Sequence, residues 1–239
     1  MRTRSPIFNV PTPVAFLIAL LVIVHVARSF LGRDAMIDVL YRFAFIPARY
    51  GNSDFYPGGS GADFWSVLSY AFLHADLVHL TINVLWMASF GSALAQRIGG
   101  VRFFTLFALG SMAGAGLHFY ALPDDTAPLI GASAGVSALM AATLRFAFAP
   151  GGPLAGGRGR RDSFYVPAPT LLESLANQRV LAFILLWFAV NLMFGANSFG
   201  LVGEGNSIAW QAHIGGFLTG LFLFPLFDPV RVFHDDFTG

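Results

Sequence analysis

Four polar residues in apolar surroundings hold the chemistry that this 239-residue chain could perform. His79 and Asn83 lie in a charge-free stretch over 77–96, Ser133 in another over 126–144, and His213 in a third over 205–227. A serine hydroxyl beside an imidazole is the minimum apparatus for acyl transfer: the imidazole takes the hydroxyl proton and the oxygen attacks a carbonyl. The negative oxygen that follows needs donors, and His79, Asn83 and the backbone N–H of Ser133 are of the right type. Near a helix start, such N–H groups are unpaired and the helix dipole favours an anion.

Spacing supports the grouping. His79 and Asn83 stand at i and i+4, on one helical face. Ser133 sits between Gly131 and Gly135, a small-xxx-small spacing that predicts a close helix crossing. His213, Gly216 and Gly220 fall at i, i+3 and i+7 and line one stripe. Counted from the starts of their stretches, His79 is two residues deep, Asn83 six, Ser133 seven and His213 eight. At a rise of about 1.5 Å per residue, all four share one level within about 10 Å.

The elements that must carry these residues follow from composition. Hydrophobic residues make up 56% of the chain and charged residues 11%, too few charges to cover a soluble globule. Six charge-free stretches (5–27, 77–96, 103–123, 126–144, 180–203 and 205–227) are each long enough to cross about 30 Å of hydrocarbon as a helix of about 20 residues. The alternation that marks a transmembrane β-barrel is missing. The expectation is an all-α membrane protein: one integral membrane domain over 1–239, with core helices near 10–31, 64–96, 102–122, 128–148, 179–198 and 207–228. Arg2 and Arg4 precede the first apolar run as in a signal peptide, but His25-Val26-Ala27-Arg28 makes a poor cleavage site, and the run is read as a retained helix.

Charge sets the expected orientation. The basic residues are all arginine, and a cytoplasmic N-terminus puts ten of the 14 inside, leaving Arg28, Arg33, Arg42 and Arg49 outside. By the positive-inside rule both termini face the cytoplasm, and Ser133 and His213 lie toward the opposite side. The segment 28–63 becomes an outer loop, with Phe64–Ala75 either in the interface or extending the second helix upward. The segment 149–178, with Gly156-Gly157-Arg158-Gly159-Arg160-Arg161, reads as a flexible cytoplasmic loop close to anionic lipid. The glycine-rich stretch Gly195–Gly205 reads as a mobile cap over the site.

The residues resemble the rhomboid family of intramembrane serine proteases. The serine motif G-x-S-G corresponds to Gly131-Ala132-Ser133-Ala134, the A-H-x-x-G-x-x-x-G motif to Ala212–Gly220, and the H-x-x-x-N motif to His79–Asn83. The resemblance runs over about residues 64–227. It implies a six-transmembrane-helix rhomboid-like bundle, with Ser133 as nucleophile, His213 as general base, and His79, Asn83 and the Ser133 N–H as oxyanion hole. Gly131, Gly135, Gly216 and Gly220 would pack the helices at the site. The implied substrates are single-span transmembrane proteins, cut near their outer ends. His74 also matches a family histidine, without an assigned role. Ala134 stands in place of the motif's last glycine, and Ser137 in place of a tyrosine that stacks on the catalytic histidine in several relatives. The Trp-Arg pair of some relatives' outer loop is absent. No Asp or Glu in the spans could complete a triad.

Other functions find less support. Cysteine is absent, which excludes thiol catalysis and disulfides. The net charge of +1 offers no field for nucleic acid. His74 and His79 lack the H-E-x-x-H glutamate of a zinc site, and no span holds the two aspartates of an aspartyl protease. No metal or other cofactor is called for. His25, His118 and His234 lie at helix ends or in the tail. A transporter would show broken mid-membrane helices and an internal repeat. The competing reading is a catalytically weak rhomboid-like protein that binds transmembrane helices. Absence of a long targeting extension points to a bacterial inner membrane.

Overall fold

In the computed structural model, residues 10–51, 61–155, 161–195 and 209–230 are described. The protein is all-helical there, apart from one isolated antiparallel bridge between Phe45 and Leu129. α1 (Thr12–Ser29) starts with a proline in its first turn, where the missing N–H has no partner to lose. α2 (Arg33–Phe43), α3 (Ala48–Gly51) and α4 (Ala62–Ser69) follow as short helices. α5 (Leu77–Trp86) continues through a π-turn (Met87–Gly91) into α6 (Ser92–Ile98). α7 (Gly100–Ala121), α8 (Ser133–Ala147), α9 (Leu171–Ala176), α10 (Gln178–Gly195) and α11 (Trp210–Phe227) complete the order.

Among the described residues, four helical runs are long and apolar enough to cross a membrane: Thr12–Ser29, Leu77–Ile98, Gly100–Ala121 and Trp210–Phe227. Ser133–Ala147 and Gln178–Met193 are shorter apolar helices. Large apolar side chains such as Phe16, Ile23, Val78, Leu186 and Phe222 lie exposed on the outer helices, as lipid contact requires of an integral membrane protein.

At the centre stands α8, buried at every position from Ala134 to Ala147. Its Ala, Ser and Gly residues let neighbouring backbones approach, which is how helices pack where lipid tails remove the hydrophobic drive between them. α11 comes closest. A Cβ at Gly216 would overlap the Ala134 carbonyl, and one at Gly220 the Ala138 carbonyl. α7 packs on both helices: it presents Gly110 and Gly114 to the methyl groups of Ala138 and Ala134, and its Ala113 carbonyl lies against Gly215 of α11.

Buried arginines tie both ends of the bundle. At one end Arg49, 4% exposed, donates to the carbonyls of Tyr41, Ala44 and Ala62 and to the Ser66 hydroxyl. At the other end Arg97 makes two 2.8 Å bonds to Asp228, which follows α11, and donates to the carbonyls of Phe164 and Val166. Arg145 reaches the carbonyls of Leu221 and Pro169. These cations, counted above only as orientation signals, thus supply donors to carbonyls that regular helices leave unpaired.

Several expected boundaries need correction. The helix expected over 64–96 is interrupted: Leu73 is extended, and Asp76 starts α5 afresh by accepting from the His79 N–H at 2.8 Å. The helix expected from 128 begins at Ser133, because the chain before it is non-helical: Leu129 pairs with Phe45, and Gly131 takes a left-handed φ. The outer segment 28–63 contains α2 and α3. The segment 149–178 is not a bare flexible loop in its described part, since a helical turn over Arg161–Tyr165 precedes α9 and Thr170 and Glu173 form a capping box. The stretch expected to cap the site lies outside the described residues beyond Gly195, whose α-carbon packs on Trp210.

Arg97→Ala would leave a buried carboxylate and two carbonyls unpaired, so it should lower stability by about 3–5 kcal/mol. Unfolding of the detergent-solubilised protein, followed by circular dichroism, checks this.

Candidate active site

Ser133 opens α8 as its first helical residue, so its backbone N–H has no intrahelical partner and sits at the positive end of the helix dipole. The chain reaches it through Gly131, whose φ of +117° lies in the left-handed region that side chains disfavour. That turn ends the extended segment and aims Ser133 inward. Space at Gly131 is equally constrained, because a Cβ there would stand 2.6 Å from His79 Nε2 and 3.7 Å from Ser133 Oγ. The absent side chain leaves a hollow bordered by both groups.

His213 comes from α11, one turn before Gly216. The close α8–α11 approach brings its Nε2 to 2.7 Å from Ser133 Oγ. Both residues are half-buried. The expected pair is thus assembled from segments 80 residues apart.

His79 lies on α5 with its Nε2 against Gly131, and Asn83 follows one turn later on the same helix. The Ala75 N–H points at His79 Nδ1 at 3.4 Å, and a backbone N–H can only donate. Nδ1 is therefore the lone-pair nitrogen, and the proton sits on Nε2, which faces the hollow. The buried Asn83 amide donates one N–H to the His79 carbonyl at 2.9 Å, and its NH2 carries a second. His74, 1% exposed, packs its ring edge-on to His79 and receives the Ala132 N–H at 3.4 Å. Burial, with His79 and His25 close by, holds its imidazole down at about 3, so it is neutral and supports the backbone just ahead of Ser133.

One feature departs from expectation. Gly131 and Gly135 do not act together as a helix-crossing pair. Gly131 precedes the helix, and Gly135 faces Phe107 and Ser111 of α7 rather than α11. Gly216 and Gly220 do line the crossing with α8. Ser137, one turn after Ser133, donates to the Ser133 carbonyl at 2.7 Å and offers no ring to His213.

Asn191 was missed. It is 8% exposed on α10, and its Oδ1 lies 2.5 Å from His213 Nδ1. The signal was present in the sequence as a polar residue inside the charge-free stretch 180–203. Because α10 runs opposite to α5, α8 and α11, depth has to be counted back from its C-terminal end, and Asn191 is four residues from Gly195.

Residues 61–228, well over half the chain, match the rhomboid domain. The chain belongs to the rhomboid family. The matched span contains Ser133, His213, His79, Asn83, His74 and Asn191. Similar proteins include rhomboid-related protein 3 from Homo sapiens, 35% identical over 98 residues, which is 41% of this chain and 24% of that protein. Rhomboid protease GlpG from Serratia proteamaculans is 26% identical over 159 residues (66% of this chain, 46% of the relative). The protein of that name from Salmonella paratyphi A is 23% identical over 191 residues (80% and 60%). The chain thus spans less than two thirds of the length of these relatives.

Gly131→Ala should cost about 1–3 kcal/mol, from the left-handed φ and the collision with His79. Gly116→Ala on the exposed face of α7, where a Cβ meets nothing within 4 Å among the described residues, should be neutral or stabilising by up to about 1 kcal/mol. Parallel thermal unfolding of the two variants in detergent separates the cases.

Proposed function

We propose that this rhomboid is an intramembrane serine endopeptidase that cleaves transmembrane-helix substrates near the outer leaflet through a Ser133–His213 dyad. The observation that carries the reading is the 2.7 Å contact from Ser133 Oγ to His213 Nε2 at the open end of the helix crossing. In the first step Ser133 Oγ attacks the scissile carbonyl carbon while its proton passes to His213 Nε2. The resulting oxyanion takes hydrogen bonds from the Ser133 backbone N–H, from His79 Nε2–H and from Asn83 Nδ2–H, with Gly131 leaving room for it. The imidazolium then protonates the leaving amine as the C–N bond breaks, leaving an acyl-enzyme on Ser133. Water repeats the sequence: His213 takes its proton, the water oxygen attacks the ester, and the proton returns to Ser133 Oγ.

The remaining parts of the reading fit this chemistry. Six spans, with α8 and α10 as the short ones, put both termini in the cytoplasm by the arginine count and open the site to the outer side, in a bacterial inner membrane. Lipid-facing apolar surfaces beside the site suit single-span membrane proteins as substrates.

Ser133→Ala and His213→Ala, reconstituted in liposomes, should each lower cleavage of a panel of single-span substrates by at least about 10³-fold while leaving the unfolding temperature in place. A serine-directed fluorophosphonate should label Ser133 in the wild type only. Cleavage by Ser133→Ala at the wild-type rate would refute the assignment. A wild type that binds the substrates without cutting them or taking the label would point to the helix-binding alternative.

A further inference from the structure

Asn191 lies behind His213, on the side away from Ser133, and its contacts determine which imidazole nitrogen holds the proton. Its Nδ2 donates to the Trp187 carbonyl one turn earlier, at 2.8 Å. Flipping the amide would set two oxygens against each other, so the assignment of O and N is fixed by the network. Oδ1 therefore faces His213 Nδ1, and an amide oxygen only accepts. The Nδ1 atom must carry the hydrogen, which leaves the lone pair on Nε2, where Ser133 Oγ–H points.

From this chain of bonds we propose that Asn191 is the positioning residue of the site, holding His213 in the Nδ1–H tautomer and in the plane that serves Ser133. It rests on the proteolytic reading above, and it supplies an orienting group where Ser137 can offer no ring and the spans contain no carboxylate. An amide accomplishes this without charge, so the imidazole stays neutral and the polar set stays compatible with its buried surroundings. Three packed rings (Trp187 and Phe188 on α10, Phe217 on α11) hold the two helices in register around the contact.

The test pairs two variants with two readouts. Asn191→Leu keeps an apolar filling but removes the acceptor. It should lower kcat and the rate of fluorophosphonate labelling by about 10- to 100-fold, with KM within about twofold of wild type. Asn191→Asp presents an acceptor oxygen to Nδ1 whether ionised or protonated, and should restore most of the rate. The second readout is independent of turnover. In ¹⁵N-histidine-labelled protein in lipid, with His213→Gln to assign the resonances, wild-type His213 should show a protonated Nδ1 and an unprotonated Nε2. Asn191→Leu should mix or reverse the tautomers. Wild-type rates and an unchanged tautomer in Asn191→Leu would overturn the proposal. Failure of the proteolytic reading would show differently, as a wild type that neither labels nor cleaves, while the tautomer still reports whether Asn191 orients the ring.

Discussion

The site depends on how closely two helix backbones approach. Gly216 and Gly220 of α11 lie so near the Ala134 and Ala138 carbonyls of α8 that no side chain fits between them. A serine and a histidine have short side chains, and they meet at 2.7 Å only because the helices carrying them touch backbone to backbone. In lipid, where apolar side chains gain nothing by leaving the hydrocarbon for one another, small residues and close packing are the means of achieving that approach. The small-residue composition of α8, its burial from Ala134 to Ala147 and its packing against both α7 and α11 all serve the same contact.

Around this crossing, several buried donors and acceptors each orient a neighbour, although His74 Nδ1 and Arg49 Nε make no hydrogen bond among the described residues. Asp76 caps α5 and so fixes the start of the helix that carries His79 and Asn83. The Ala75 N–H sets one imidazole tautomer, and Asn191 sets the other. His74 steadies the backbone before Ser133. The arginines act likewise at the two ends of the bundle: Arg49 gathers the carbonyls of Tyr41, Ala44 and Ala62, and Arg97 binds the end of α11 to the turn at Phe164–Val166. Unpaired polar groups in a low-dielectric interior are costly, which favours such pairing.

The site residues were legible because a polar side chain inside an uncharged stretch is conspicuous, and because depth along a helix can be counted. Ser133, His213, His79 and Asn83 all stood out on that basis. Asn191 escaped the same rule because its helix runs the other way, and its depth has meaning only once the end of α10 is known. The role of Gly131 was misjudged for a related reason. A G-x-x-x-G spacing describes a helix face only if both glycines are in the helix, and α8 starts two residues after Gly131.

Composition and charge spacing alone indicated an all-helical membrane protein and roughly where its apolar helices fall, since hydrocarbon excludes charge and demands internally paired backbone. The order of motifs along the chain was equally a property of the linear string. Where each helix begins, which tautomer each imidazole adopts, and that Asn191 rather than an aromatic ring stands behind His213 were decided by packing. These depend on groups far apart in the chain that come within 3 Å only after the helices have docked.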